Sequence, residues 1–194
     1  PLFPKSTKLV CINGSHEEIE LNRAADINLL CDPEVFLDKL VELKKSSKWK
    51  LNNEWFDKNK KEKKNWIDKT LDDLNKETEE TKKNGGKIHP LQLALDVQEV
   101  LTENDWLVID GGNTHFWSEI AINIAGSKGK KLGGILHPGT FSMLGVGVPF
   151  AVSAKNLNPK SNVVLISGDG AFLSGGLSIE AAFQEKKPIV VVID

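Results

Sequence analysis

The chain has 194 residues, 40% of them hydrophobic, and a formal net charge of −2, which is material for one large domain or one domain with extensions. That charge balance argues against nucleic-acid or membrane partners engaged through bulk charge, and Arg23, the only arginine, leaves little for bidentate phosphate or base recognition. Cys11 and Cys31 form no Cys-x-x-Cys pair and are expected as reduced, buried thiols of a cytoplasmic protein, with no signal or transmembrane run in view.

Residues 1–46 are expected to hold a partial α/β unit. Lys8-Leu-Val-Cys-Ile-Asn-Gly14 and Ala25-Asp-Ile-Asn-Leu-Leu-Cys31 read as strands. Asp32 then supplies an N-cap and Pro33 the first helical position, with Phe36, Leu37, Leu40 and Leu43 on one helix face. Residues 47–86 are a polar bridge in which Trp55, Trp66, Ile67, Leu71 and Leu74 recur at helical spacing. They predict a surface helix pinned to a domain by Trp55 and Trp66, its lysine run Lys58–Lys64 being a solvated face. From residue 87 a βα rhythm sets in. His89-Pro90 opens a helix to about Thr102, Trp106–Asp110 is a strand and Trp117–Ala125 a helix. A glycine-rich segment, a helix near Pro149–Ala154 and a terminal βαβ unit follow.

That terminal unit carries the most chemistry. Val163-Val-Leu-Ile-Ser-Gly-Asp-Gly-Ala-Phe172 is a short apolar run ending in Gly-Asp-Gly, as a central parallel strand would. Gly168 and Gly170 leave the backbone bare for a ligand. Asp169 stands at a strand's carboxyl end, where open α/β sheets place their ligands. One carboxylate shared with a diphosphate is a setting magnesium accepts; the bland alternative is an ordinary turn.

This segment resembles the thiamine diphosphate signature, a Gly-Asp-Gly turn followed about two dozen residues later by asparagine, a position that would fall just after Asp194. Ser174-Gly-Gly-Leu-Ser-Ile-Glu180 is similar to the corresponding run of the CoA-linked branch, with Ser178 where that branch usually has glutamate. Pro138-Gly-Thr-Phe-Ser-Met-Leu-Gly-Val-Gly-Val-Pro149 resembles the family's Met/Leu-Gly-x-Gly stretch, and Asp110-Gly-Gly-Asn-Thr114 its Glu-Gly-Ala-Asn-Thr loop. The resemblance is to the acetolactate synthase, benzaldehyde lyase, 2-hydroxyacyl-CoA lyase and oxalyl-CoA decarboxylase group.

It implies an α/β fold with a doubly wound parallel sheet over 87–194, preceded by the end of a central domain (1–46, including Asn22-Arg23) and a helical linker (47–86). It implies thiamine diphosphate and Mg2+ as cofactors, with Asp169 as metal ligand. Asn113, Thr114, Ser142, Met143, Leu144, Gly168, Asp169, Gly170 and Ala171 are the implied cofactor-binding residues. Leu144 would lie under the bent cofactor, and the backbone at Ser142, where the family usually has glycine, and at Leu144 would pair with its pyrimidine ring. The implied substrate is a 2-keto acid or acyl-CoA type small molecule. The implied partner is a pyrimidine-binding domain, of the same or another chain, carrying the activating glutamate, in a homo-oligomer. The chain alone is then expected to be catalytically silent.

Other chemistries find less support. His16, His89, His115 and His137 show no His-x-x-x-His spacing. His16 and His89 read as solvent or cap residues, and His115 and His137 as neighbours of the cofactor loops, either of which could face substrate. No Gly-x-Ser-x-Gly elbow is present. A dinucleotide fingerprint would need a third glycine that Gly168–Gly175 does not supply in register. A cofactor-free regulatory or scaffolding domain is the non-enzymatic alternative.

Overall fold

The computed structural model describes all residues except 1–3, 5, 20, 22, 23 and 51, so the Asn22-Arg23 dipeptide lies outside the described residues. The chain divides into two compact units, Pro1–Asn59 and Lys60–Asp194.

In the first unit, β1 (Val10–Asn13) and β2 (Ile27–Leu30) pair in parallel, with Val10 opposite Ile27. The helix α1 (Pro33–Ser46) starts as its sequence requires: the Asp32 carboxylate accepts the Glu34 N–H at 2.7 Å, and Pro33 occupies the first turn. Its apolar stripe stays largely open, with Leu37 and Leu43 more than half exposed and none of its residues buried. Cys11 and Cys31 are free, as expected, but half-buried rather than buried.

The helix α2 (Asn53–Asn84) runs through the polar bridge. The anchoring differs from the expectation. Trp55 and Trp66 are 63% and 46% exposed, while Ile67 and Leu74 are buried in the core of the second unit. An indole is wide enough to cover a helix shoulder without entering a close-packed interior, and the slimmer aliphatic residues take the inward positions. No described helix is long and apolar enough to cross a membrane.

The second unit is built on a four-stranded parallel sheet in the order β4-β3-β5-β6. The strands are β3 (Trp106–Asp110), β4 (Gly134–Leu136), β5 (Val163–Ser167) and β6 (Val190–Ile193). Strand alternation divides the core in two. Leu107 and Ile109 of β3, with Val164 and Ile166 of β5, pack under α2, α3 (Pro90–Val100) and α4 (Asn113–Ser127). Val108, Val163 and Leu165 pack on the opposite face against α5 (Gly147–Leu157) and α7 (Ile179–Gln184). Helices on both faces of a parallel sheet are the doubly wound arrangement. Each fully buried Leu, Ile or Val contributes about 1.5–3 kcal/mol, so these two layers hold the unit together.

Three local outcomes matter for the site. His89 caps α3, its Nδ1 accepting the Leu91 N–H at 3.1 Å. The helix α4 begins at Asn113, four residues before the expected start at Trp117, so Asn113 and Thr114 form its first turn rather than a loop. The short strand β4 was not expected from sequence; three residues, Gly-Ile-Leu, are too few to show a period.

Candidate functional site at the carboxyl edge of the sheet

From β3 the chain crosses through α4 to β4 on one side, and from β5 through α6 (Asp169–Gly175) and α7 to β6 on the other. The two connections diverge, which opens a crevice at the carboxyl ends of β3 and β5, where doubly wound sheets bind ligands. The register brings Asp110 opposite Ser167 and Ser167 opposite Ile193. Gly111–Thr114, Gly168–Ala171 and Asp194 therefore meet.

Close backbone approach is built in. Gly111 has φ +115°, and a Cβ there would come within 2.9 Å of the Gly168 nitrogen, a place for glycine alone. At Gly112 and Gly170 an added Cβ would meet nothing within 4 Å, so the lining there faces open space. A cavity of about 320 Å3 results, lined among others by Asn113, Thr114, Leu144, Gly168, Asp169, Gly170 and Ala171. Seven of the nine sequence-nominated residues thus share one cavity. Ser142 lines an adjoining cavity that also touches Leu144, Gly111 and Gly112. Met143 is 63% exposed and borders neither.

The polar groups are arranged for an anion and a cation together. No side chain caps the amino end of α4, which leaves first-turn amides of a fifteen-residue helix for a negatively charged group. Asp169 presents its carboxylate beside them, Oδ1 accepting the Gly170 N–H at 2.6 Å. The Thr114 hydroxyl donates to Asp194 Oδ2 at 2.9 Å, and Asp194 offers its carbonyl to the Asp169 amide at 3.2 Å. Oxygen donors beside uncapped amides fit a hard cation shared with a diphosphate.

Asp110 was quoted in the sequence only as part of a loop, yet it organises the site. It is 1% exposed, and Oδ2 accepts both the Gly145 N–H at 3.0 Å and the Gly147 N–H at 2.7 Å. This ties the glycine-rich segment, and with it Leu144, to the end of β3. Ser142 takes a left-handed conformation, φ 49°; the position where the resembling family carries glycine is one that glycine would adopt without strain.

Comparison with known proteins bears on the same stretch. Residues 110–193 match the family described as thiamine pyrophosphate enzyme, C-terminal TPP binding domain. This segment is a thiamine diphosphate-binding domain. The chain is 27% identical to 2-hydroxyacyl-CoA lyase 2 of Homo sapiens over 97% of its length, covering 28% of that protein. It is 30% identical to the catabolic acetolactate synthase of Raoultella terrigena over 55% of its length, covering 18% of that enzyme. It also matches 2-hydroxyacyl-CoA lyase 2 of Caenorhabditis elegans, at 26% identity over 97% of the chain and 29% of the relative. The chain therefore spans less than a third of the relatives it matches. The matched boundaries start at Asp110, and the thiamine diphosphate domain thus takes in both halves of the crevice.

His115 and His137 lie together in the adjoining cavity, ring centroids 5.1 Å apart. His16 lies in the first unit and His89 is the α3 cap. Glu119, unremarked in the sequence, stands 3.4 Å from His115 through Oε1 and Nε2.

Proposed function

We propose that this chain is the diphosphate-holding portion of a thiamine diphosphate- and Mg2+-dependent enzyme that makes or breaks carbon–carbon bonds in 2-keto acids or 2-hydroxyacyl compounds. The observation that carries it is the crevice where Asp169, the uncapped start of α4 and the Thr114–Asp194 pair converge. In this reading Asp169 and Asp194 supply oxygen ligands for the ion, and Asn113 and Thr114 with the α4 amides hold the diphosphate. Leu144, half exposed at the junction of two cavities, supports the bent cofactor. When bound, the cofactor supplies a nucleophilic carbon and an electron sink; the residues of this chain bind and orient it. The activating glutamate is assigned to a pyrimidine-binding partner domain, in a homo-oligomer. The long matches to proteins named 2-hydroxyacyl-CoA lyase 2 favour a lyase acting on 2-hydroxyacyl-CoA over an acetolactate synthase. A cytoplasmic setting accords with the two free cysteines.

The test is isothermal titration of the chain with thiamine diphosphate, up to millimolar concentration, with and without Mg2+. Weak, Mg2+-dependent binding that Asp169→Ala abolishes is expected. Binding indifferent to Mg2+, unchanged in the variant, or absent from the parent would remove the reading.

A further inference from the structure

A second cluster of ligand-type side chains lies beside the diphosphate crevice and takes no part in it. His115 and Glu119 stand one turn apart on α4, a spacing that turns both to the same side of the helix. β4 pairs with β3, Leu136 opposite Val108, so His137, the next residue after β4, arrives at the same sheet edge. The His115 and His137 rings meet at 5.1 Å and 65°, and His115 Nε2 is 3.4 Å from Glu119 Oε1. One ligand atom from each of the three residues lies within 4.8 Å of the others.

We propose that His115, Glu119 and His137 bind a divalent transition-metal ion of the zinc class, at a site separate from the hard-cation position at Asp169. Two imidazoles and one carboxylate suit zinc, cobalt or nickel, whereas magnesium and calcium favour all-oxygen surroundings. Metal–nitrogen bonds of about 2.0–2.1 Å put tetrahedral donors roughly 3.4 Å apart, so the three groups, now within 4.8 Å of one another, must close by up to about 1.4 Å. Nothing prevents this: the side chains of His115 and Glu119 are 20% and 40% exposed, and His137 is exposed. One bond has to be exchanged. The Gly139 N–H donates to His137 Nδ1 at 3.1 Å, which in a neutral ring leaves the proton on Nε2. An ion on Nδ1 displaces the amide directly, and an ion on Nε2 moves the ring proton to Nδ1, which can then no longer accept; either way the Gly139 bond is given up. Three protein ligands leave a coordination position free. That position opens on a cavity of about 420 Å3, which shares Gly111, Gly112 and Leu144 with the diphosphate crevice.

The experiment uses the untagged chain, stripped with chelator and free of thiamine diphosphate, so its outcome is independent of the function proposed above. Co2+ is titrated while the visible ligand-field bands are followed, and Zn2+ is measured by competition. One ion per chain is expected, with the strong visible absorption of a low-coordinate site. His115→Ala, Glu119→Gln and His137→Ala should each weaken binding by roughly a hundredfold, a ligand counting for at least as much as the groups that support one. His16→Ala and Asp169→Asn should leave the bands unchanged. Because His137 is exposed, its removal does not endanger the fold and keeps the test decisive if His115→Ala misfolds. Absence of binding to the parent, or binding that survives His137→Ala, would overturn the proposal and leave the cluster a His–Glu contact beside a second histidine.

Discussion

Asp110 offers the sharpest test of how the crevice is held. Its Oδ2 accepts two amides, from Gly145 at 3.0 Å and Gly147 at 2.7 Å, in a position only 1% exposed. Asp110→Ala removes both acceptors and strands two N–H groups. A hydrogen bond to a charged group contributes about 1.5–3 kcal/mol, and two bonds sharing one oxygen are together worth about 3–5 kcal/mol. Asp110→Asn behaves differently, because both amides go to the same oxygen. An amide oxygen in the place of Oδ2 keeps both bonds at about half their strength, for a loss of about 1.5–2.5 kcal/mol. Amide hydrogen exchange at Gly145 and Gly147 reads these bonds directly and avoids assuming that a chain of two units unfolds in one step. Protection at both glycines should collapse in the alanine variant and largely persist in the asparagine variant. Equal loss of protection in both would show that the negative charge, not acceptor geometry, holds the loop. Unchanged protection in Asp110→Ala would refute the reasoning altogether.

Asp105 closes the opposite edge of the sheet, taking the Thr102 N–H and hydroxyl on Oδ2 and the Asn162 backbone and side-chain N–H groups on Oδ1. Burial, the largest influence, pushes its carboxyl up, but the bonds from Thr102 and Asn162 together hold it below the ordinary value of 3.8. A folded-state value below the unfolded one adds stability above the unfolded pKa and loses it as pH falls through the folded pKa. The melting-temperature gap between parent and Asp105→Asn should therefore be full at neutral pH and close below about pH 3.8; a gap constant into strong acid would count against it. Gly175→Ala would drive its Cβ into the Gly145 carbonyl and should cost about 1–3 kcal/mol by overpacking, so an unchanged thermal midpoint would contradict the packing described. Leu144→Ala, at a half-exposed position, should change stability by less than about 1 kcal/mol while weakening thiamine diphosphate binding in a titration. A stability loss with binding intact would make Leu144 ordinary core.

What the sequence showed and what it hid divide along a physical line. Trp106–Asp110 and Val163–Ser167 are apolar runs bounded by glycine or polar residues, and both form the strands their patterns predict. The Asp32-Pro33 and His89-Pro90 starts cap their helices as read, since a cap is a bond between near neighbours in sequence. The burial of Ile67 and Leu74 in place of Trp55 and Trp66 was not legible, because periodicity marks a stripe without saying which member of it reaches the core. The first turn of α4 was hidden because Gly111-Gly-Asn-Thr114 has the composition of a turn, and only the packing of Thr114, 6% exposed, commits it to the helix.

The same line explains why the crevice was half visible and its neighbour only as two separate histidines beside the cofactor loops. Asp169 and its glycines are contiguous, so their chemistry can be read as a motif. Asp110 acts on residues 35 and 37 positions away, and a lone aspartate before two glycines carries no mark of that reach. The His115–Glu119–His137 cluster depends on β4 lying beside β3, and β4 is three residues long. Without that strand the order of the sheet cannot be derived, and without the order nothing brings position 137 to position 115. The crevice at the β3–β5 divergence and the histidine cluster at the β3–β4 edge are therefore consequences of one topological fact. Whatever shifts β4 along β3 should move both together, through the shared Gly111, Gly112 and Leu144 wall. Coupling between metal uptake at the histidines and cofactor affinity at Asp169 is the form that such a link would take in solution, since the Gly139 amide that an ion draws off His137 belongs to the turn whose carbonyl accepts the Ser142 N–H.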